Sequence, residues 1–130
     1  MKILMDTHVW LWTLSDSARL KPQAAAVLKD EANQIFLSPV SVWETLVLIQ
    51  KGRFEISDEP RRWIERALAQ TGAIEAGLTT EVAVASRFLK LPHDDPADRF
   101  LAATALVMGL KLATADKNLL RSKACELIQA

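Results

Sequence analysis

The chain is poor in the residues that would tie it together covalently or through zinc. It has one cysteine, Cys125, two histidines, His8 and His93, and no tyrosine. A lone thiol excludes an intrachain disulfide. With no histidine near it in sequence, Cys125 reads as a small buried hydrophobe. The two histidines are far apart and no cysteine pair accompanies them, so a zinc site is not expected. No charge-free apolar run reaches the roughly 18–20 residues that cross a bilayer. Asp6 interrupts the apolar start MKILMDTHVW, so a signal-peptide core is not expected and the expected location is cytoplasmic, with no membrane partner. Repeats, low-complexity tracts and linkers are also missing, which leaves residues 1–130 as one expected domain. Neither sign of charge dominates, since 16 basic residues balance 16 acidic ones. That balance argues against a non-specific nucleic-acid binder, and any grip on phosphate must be local.

What the chain has in quantity is hydrophobicity, 50% of its residues, laid out in short segments. KILM (2–5), IFLS (35–38), AIEAG (73–77), KLATA (111–115) and CELI (125–128) read as strands. Helices are expected over 7–14, 22–32, 39–52, 59–72, 79–90, 96–109 and a short stretch at 117–121. Ser38 suits an N-cap, with Pro39 at the first helical position and Gly52 as the stop. Strands alternating with helices place the chain in the α/β class, around a mostly parallel sheet of four to five short strands.

In such a sheet, ligands sit beyond the carboxyl ends of the strands, where the direction of connection reverses. Asp6 follows KILM directly and Asp116 follows KLATA directly. Each either caps the next helix or, if the two strands are neighbours, turns toward the other. Glu44 shares a helix face with Val40, Val47 and Leu48. A carboxylate on an apolar stripe calls for something positive, a bound ion or a basic side chain, or else for an edge position that reaches water. In DDPAD, Asp95 suits the N-cap, Pro96 the first helical position and Asp98 the third. Capping accounts for Asp95 but leaves Asp98 unexplained. Asp98 shares a face with Leu101, Ala102 and Ala105, so it should point inward. Carboxylates gathered in one pocket raise one another's pKa and protonate unless a cation compensates. Should Asp6, Glu44, Asp98 and Asp116 meet, a divalent ion is implied, and ligation by oxygen alone favours Mg²⁺ or Mn²⁺.

Four stretches, MDTHVWLW, LSPVSVWETLVLIQKGRF, LPHDDPADRFLAATAL and LATADKNL, span nearly the whole chain in a familiar order and spacing. Together they resemble the PIN domain family, most closely its VapC-type toxin ribonucleases from bacterial toxin–antitoxin pairs. The resemblance implies a three-layer α/β/α fold and four catalytic, metal-binding acids at Asp6, Glu44, Asp98 and Asp116. It also implies Mg²⁺- or Mn²⁺-dependent cleavage of RNA to 5′-phosphate and 3′-hydroxyl ends, a homodimer and a cognate antitoxin. None of the four acidic positions departs from the pattern. Thr7 and Thr114 are then expected to orient the carboxylates by hydrogen bonds. His93, Arg99 and Lys117 are expected at the substrate, Arg99 and Lys117 in a positive rim with Arg87, Lys90 and Arg121.

Two other functions fit the same residues. One is a metal-dependent phosphatase or DNA nuclease; the other is a PIN-like scaffold that binds RNA or protein without cutting. A phosphatase with an aspartate nucleophile usually has two aspartates flanking one residue after its first strand, where DTH supplies one. Of the four tryptophans, Trp43 is expected to be buried. Trp10 and Trp12 are expected on a helix face covered by an antitoxin helix or a second copy, with the core as their other possible place.

Overall fold

Alternate side chains along the central strands of the sheet serve two different cores. The computed structural model describes residues 1–130. In chain order it contains β1 (Lys2–Met5), α1 (Thr7–Ser15), α2 (Pro22–Lys29), β2 (Gln34–Leu37), α3 (Pro39–Gln50), α4 (Pro60–Thr71), β3 (Ile74–Glu75), α5 (Thr80–Phe88), α6 (Pro96–Met108), β4 (Lys111–Thr114), α7 (Lys117–Ser122) and β5 (Leu127–Gln129). Ile3, Met5, Leu37 and Ala113 face one core, packed with Val9, Trp10 and Leu11 of α1, Ala24 of α2, and Ile64 and Ala67 of α4. Leu4, Phe36 and Leu112 face the other, with Leu101, Ala102 and Ala105 of α6 and Leu119 of α7. The result is a three-layer α/β/α fold.

All five strands are parallel, in the order β3-β2-β1-β4-β5. The chain steps outward from β1 through β2 to β3, then returns to β4 on the opposite side of β1. The reversal therefore lies between β1 and β4, whose register pairs Met5 with Ala113. That is where an open parallel sheet offers a crevice. No helix is long and apolar enough to cross a membrane.

Several expected boundaries move. The strand at 73–77 shrinks to Ile74–Glu75, because only Phe36 and Leu37 of β2 are in register to receive it. The last strand shifts to Leu127–Gln129, where Leu127 pairs with Leu112. The helix expected to reach residue 32 stops at Lys29, and a short 3-10 turn, Ser17–Arg19, follows α1.

The tryptophans also need correcting. Trp10 is fully buried and its indole Nε1 donates to Thr71 Oγ1 at 2.8 Å, so it is a core residue and no docking surface. Trp43, expected inside, is 58% exposed. It lies on the side of α3 turned away from buried Ser41 and Thr45, beside exposed Leu78. Cys125 is half-buried against the second core, and burial pushes its thiol up to about 11, which leaves it unreactive at neutral pH.

Candidate active site

Backbone pairing and one threonine hydroxyl together hold the carboxyl ends of β1 and β4 side by side. Asp6 leaves β1 with its N–H donating to Ala113 O at 3.0 Å. Its carboxylate is 6% exposed and accepts from Thr7 N at 2.6 Å and from Thr114 Oγ1 at 2.7 Å. Thr114 Oγ1 in turn accepts from Asp116 N at 3.0 Å. One threonine thus links the aspartates that follow neighbouring strands. Asp116 also caps α7, accepting from Leu119 N at 2.9 Å. Capping and convergence, which the sequence left as alternatives, coexist.

Glu44 arrives from α3. Ser38 caps that helix by accepting from Val40 N at 3.1 Å, with Pro39 at its first position. Thr7 Oγ1 donates to Ser41 Oγ at 2.9 Å, both groups fully buried, which ties the start of α1 to the first turn of α3. Glu44, three residues beyond Ser41, is half-buried.

Asp98 comes from the first turn of α6. Asp95 caps this helix by accepting from Asp98 N at 3.2 Å, and the Asp98 side chain is left 17% exposed. His93 Nε2 lies 3.4 Å from Asp98 Oδ2, while His93 Nδ1 accepts from Asp95 N at 3.2 Å. A ring nitrogen that accepts a backbone N–H carries no proton, so the neutral ring's hydrogen is on Nε2, facing Asp98. Donor atoms of His93, Asp98 and Asp116 all fall within 4.8 Å of one another, so His93 stands where it could join these acids around an ion.

The four expected acids line one cavity of about 270 Å³, together with Asp95, His8, Trp12 and Ala115. No lysine or arginine pairs with any of the five carboxylates. The electrostatic consequence is plain at Asp98, whose pKa is raised to about 8 by burial first, then by Asp95, Asp6, Asp116 and Glu44. Burial also raises Asp6, against the hydrogen bonds from Thr114 and Thr7. Glu44 is raised for the same first reason, with Thr7 opposing. A dense set of carboxylates faced by two histidines but by no lysine or arginine suits a hard divalent cation.

The expected positive rim needs correction. Arg99 turns inward, with its side chain 12% exposed. Its guanidinium donates to Ser86 O at 3.0 Å and Leu89 O at 3.2 Å, carbonyls at the end of α5. Its Nε lies 3.0 Å from Asp94, which Arg87 also holds at 3.0 Å. Both arginines are spent on fastening the 89–95 loop, and Arg99 is not free for substrate. Lys117, the first residue of α7, remains exposed beside Asp116.

Three cavity residues escaped the sequence. Asp95 had a sufficient explanation as a cap. His8 and Trp12 stand four apart at the start of the helix that Asp6 begins, a spacing that signals one shared face.

A family model described as PIN domain matches residues 3–124. Ribonuclease VapC22 of Mycobacterium tuberculosis is 28% identical over 120 residues, covering 90% of this chain and 88% of that protein. Among solved structures, VapBC2 from Rickettsia felis bound to a DNA fragment from its promoter superposes with a TM-score of 0.73 at 15% identity, covering 100% of this chain and 99% of that one. DNA-bound VapBC from Salmonella typhimurium gives 0.70 at 14% identity, covering 99% and 98%. FitAcB from Neisseria gonorrhoeae gives 0.61 at 20% identity, covering 98% and 96%.

Proposed function

Because this chain belongs to the PIN domain family, we propose that it is a divalent-metal-dependent endoribonuclease, the toxin of a toxin–antitoxin pair. The observation that carries the reading is the cavity itself, five carboxylates with no lysine or arginine partner at the β1–β4 reversal. The relative named a ribonuclease supports RNA as the substrate. The likeness to VapBC complexes supports a cognate antitoxin. A second copy of this chain is the other protein partner, and the exposed apolar surface around Trp43 and Leu78 gives such partners something to cover.

Asp6, Glu44, Asp98 and Asp116 are the residues that would hold Mg²⁺ or Mn²⁺, and the all-oxygen character of the set fits either. When bound, such an ion supplies neutralising charge at the phosphate and acidifies a water for in-line attack. The chain's own contributions are positional. Thr114 holds one oxygen of Asp6 in place and the backbone of Thr7 holds the other. His93 Nε2 stands 3.4 Å from Asp98 Oδ2, at the rim of the same set. Lys117, exposed beside Asp116, is the basic residue proposed to meet a substrate phosphate.

The direct test incubates the purified protein with cellular RNA in Mg²⁺, in Mn²⁺ and in EDTA, and maps the new ends. Cleavage only with an ion, leaving 5′-phosphates, is the expected result; cutting that survives EDTA would reject the metal-dependent reading.

Thr114→Val keeps the side-chain volume but removes both the donor to Asp6 and the acceptor for Asp116 N. The expected result is a loss of about 10–100-fold in cleavage rate and about 1–3 kcal/mol in stability. RNA cleavage kinetics and urea unfolding measure the two effects.

A further inference from the structure

Helix α1 builds a second cluster on the wall of the acidic cavity. His8 and Trp12 both line it, with ring centres 6.4 Å apart and planes tilted by 55°. Arg19, in the 3-10 turn after α1, comes back over this wall and sets its Cζ 4.6 Å from the centre of the Trp12 ring. A guanidinium on an indole face is held by cation–π attraction and stacking. That contact places the guanidinium without using its N–H donors. Arg19 is exposed and has no carboxylate partner, although Asp16 stands three residues before it. Arg62 and Arg66 are taken up by Asp58, and Arg87 and Arg99 by Asp94.

An acidic cavity repels the phosphates on either side of the one to be cut. A fixed cation with free donors, one side chain out from that cavity, offsets the repulsion at a defined place. Planar, multi-donor recognition of phosphate is what a guanidinium offers over an ammonium. We propose that Arg19, held on Trp12, binds an RNA backbone phosphate adjacent to the scissile one, with His8 and Trp12 forming the wall along which that nucleotide lies. This inference rests on the ribonuclease reading.

The test uses the full chain with Asp98→Asn, to prevent cutting, and a short fluorescein-labelled single-stranded RNA of mixed sequence. Binding is followed by fluorescence anisotropy over a range of KCl concentrations in Mg²⁺. Adding Arg19→Ala is expected to weaken binding about tenfold at low salt. It should also make the log–log salt slope shallower by about 0.7–0.9, the signature of one lost phosphate contact. Arg19→Lys keeps the charge and should keep the slope while losing part of the affinity. Arg61→Ala removes an equal charge from an exposed helix face and should change affinity by less than about twofold. Unchanged affinity and slope with Arg19→Ala would overturn the proposal, as would an equal loss with Arg61→Ala. Failure of the ribonuclease reading looks different: the unsubstituted chain would then leave RNA intact in both Mg²⁺ and Mn²⁺.

Discussion

Asp98→Asn is expected to lower RNA cleavage by about 10³-fold or more while leaving the protein folded and, without metal, more stable. The two halves of this result have one cause. The pKa of Asp98 is raised to about 8, so at pH 7 and without an ion its carboxyl is mostly protonated. An asparagine has nearly the same shape and imitates that neutral form, and the Asp95 cap, which uses the backbone N–H of residue 98, is untouched. What the substitution removes is the ability to become an anion when a cation arrives. Gel assays with labelled RNA in Mn²⁺, beside circular dichroism melts in EDTA at pH 8, measure both halves. The melting temperature should rise by about 5 °C, the equivalent of 1–2 kcal/mol in a domain of this size. Undiminished cleavage by well-purified Asp98→Asn protein would remove Asp98 from the site.

The second large effect concerns pH. The folded pKa of Asp98, about 8, lies above its ordinary 3.8, so the folded state keeps a proton that the unfolded chain releases from about pH 4 upward. Where the folded state binds more protons, stability falls as pH rises. The penalty is absent below the ordinary value, grows through the interval and is complete above about pH 8. Asp6 and Glu44 are displaced in the same direction and act with the same sign. At 1.36 kcal/mol per pKa unit, the displacement of Asp98 from 3.8 to about 8 sets a ceiling of about 6 kcal/mol, which solvent screening at this partly exposed side chain reduces. Urea unfolding of the metal-free protein should therefore show a steady loss of stability between pH 5 and pH 8. Mg²⁺ or Mn²⁺ should restore it, with the largest gain at the highest pH, because the ion competes with protons for the same oxygens. Stability indifferent to both pH and added ion over that range would mean that these carboxyls do not repel one another as the cavity implies.

Much of this arrangement was legible in the sequence because it is written in local signals. Short apolar runs ending in Asp6 and in Asp116 marked the strand ends, and the parallel α/β class followed from alternation. The inward direction of Asp98 followed from the apolar face that it shares with Leu101, Ala102 and Ala105. Helices α1 and α3 were harder. Apolar residues surround both of them on most sides, so periodicity could not say that Trp10 enters the core while Trp43 faces outward. Arg99 was misjudged for another reason. Its role depends on the uncovered carbonyls of Ser86 and Leu89, which come to α6 only through the packing of α5. No pattern within α6 reveals an obligation that arises on a different helix. Trp12 and Arg19 belong to the same class of contact, made where the chain turns back on itself after α1.

The hydroxyl of Thr114 reaches the carboxylate of Asp6 across 108 positions of sequence. A growing polypeptide on the ribosome, with β1 already made but β4 still to come, has no partner for that carboxylate and lacks Asp98's far neighbour, Asp116. Contacts this distant form late. Under the ribonuclease reading proposed above, a nuclease so built cannot assemble its acidic cavity until β4 has left the ribosome.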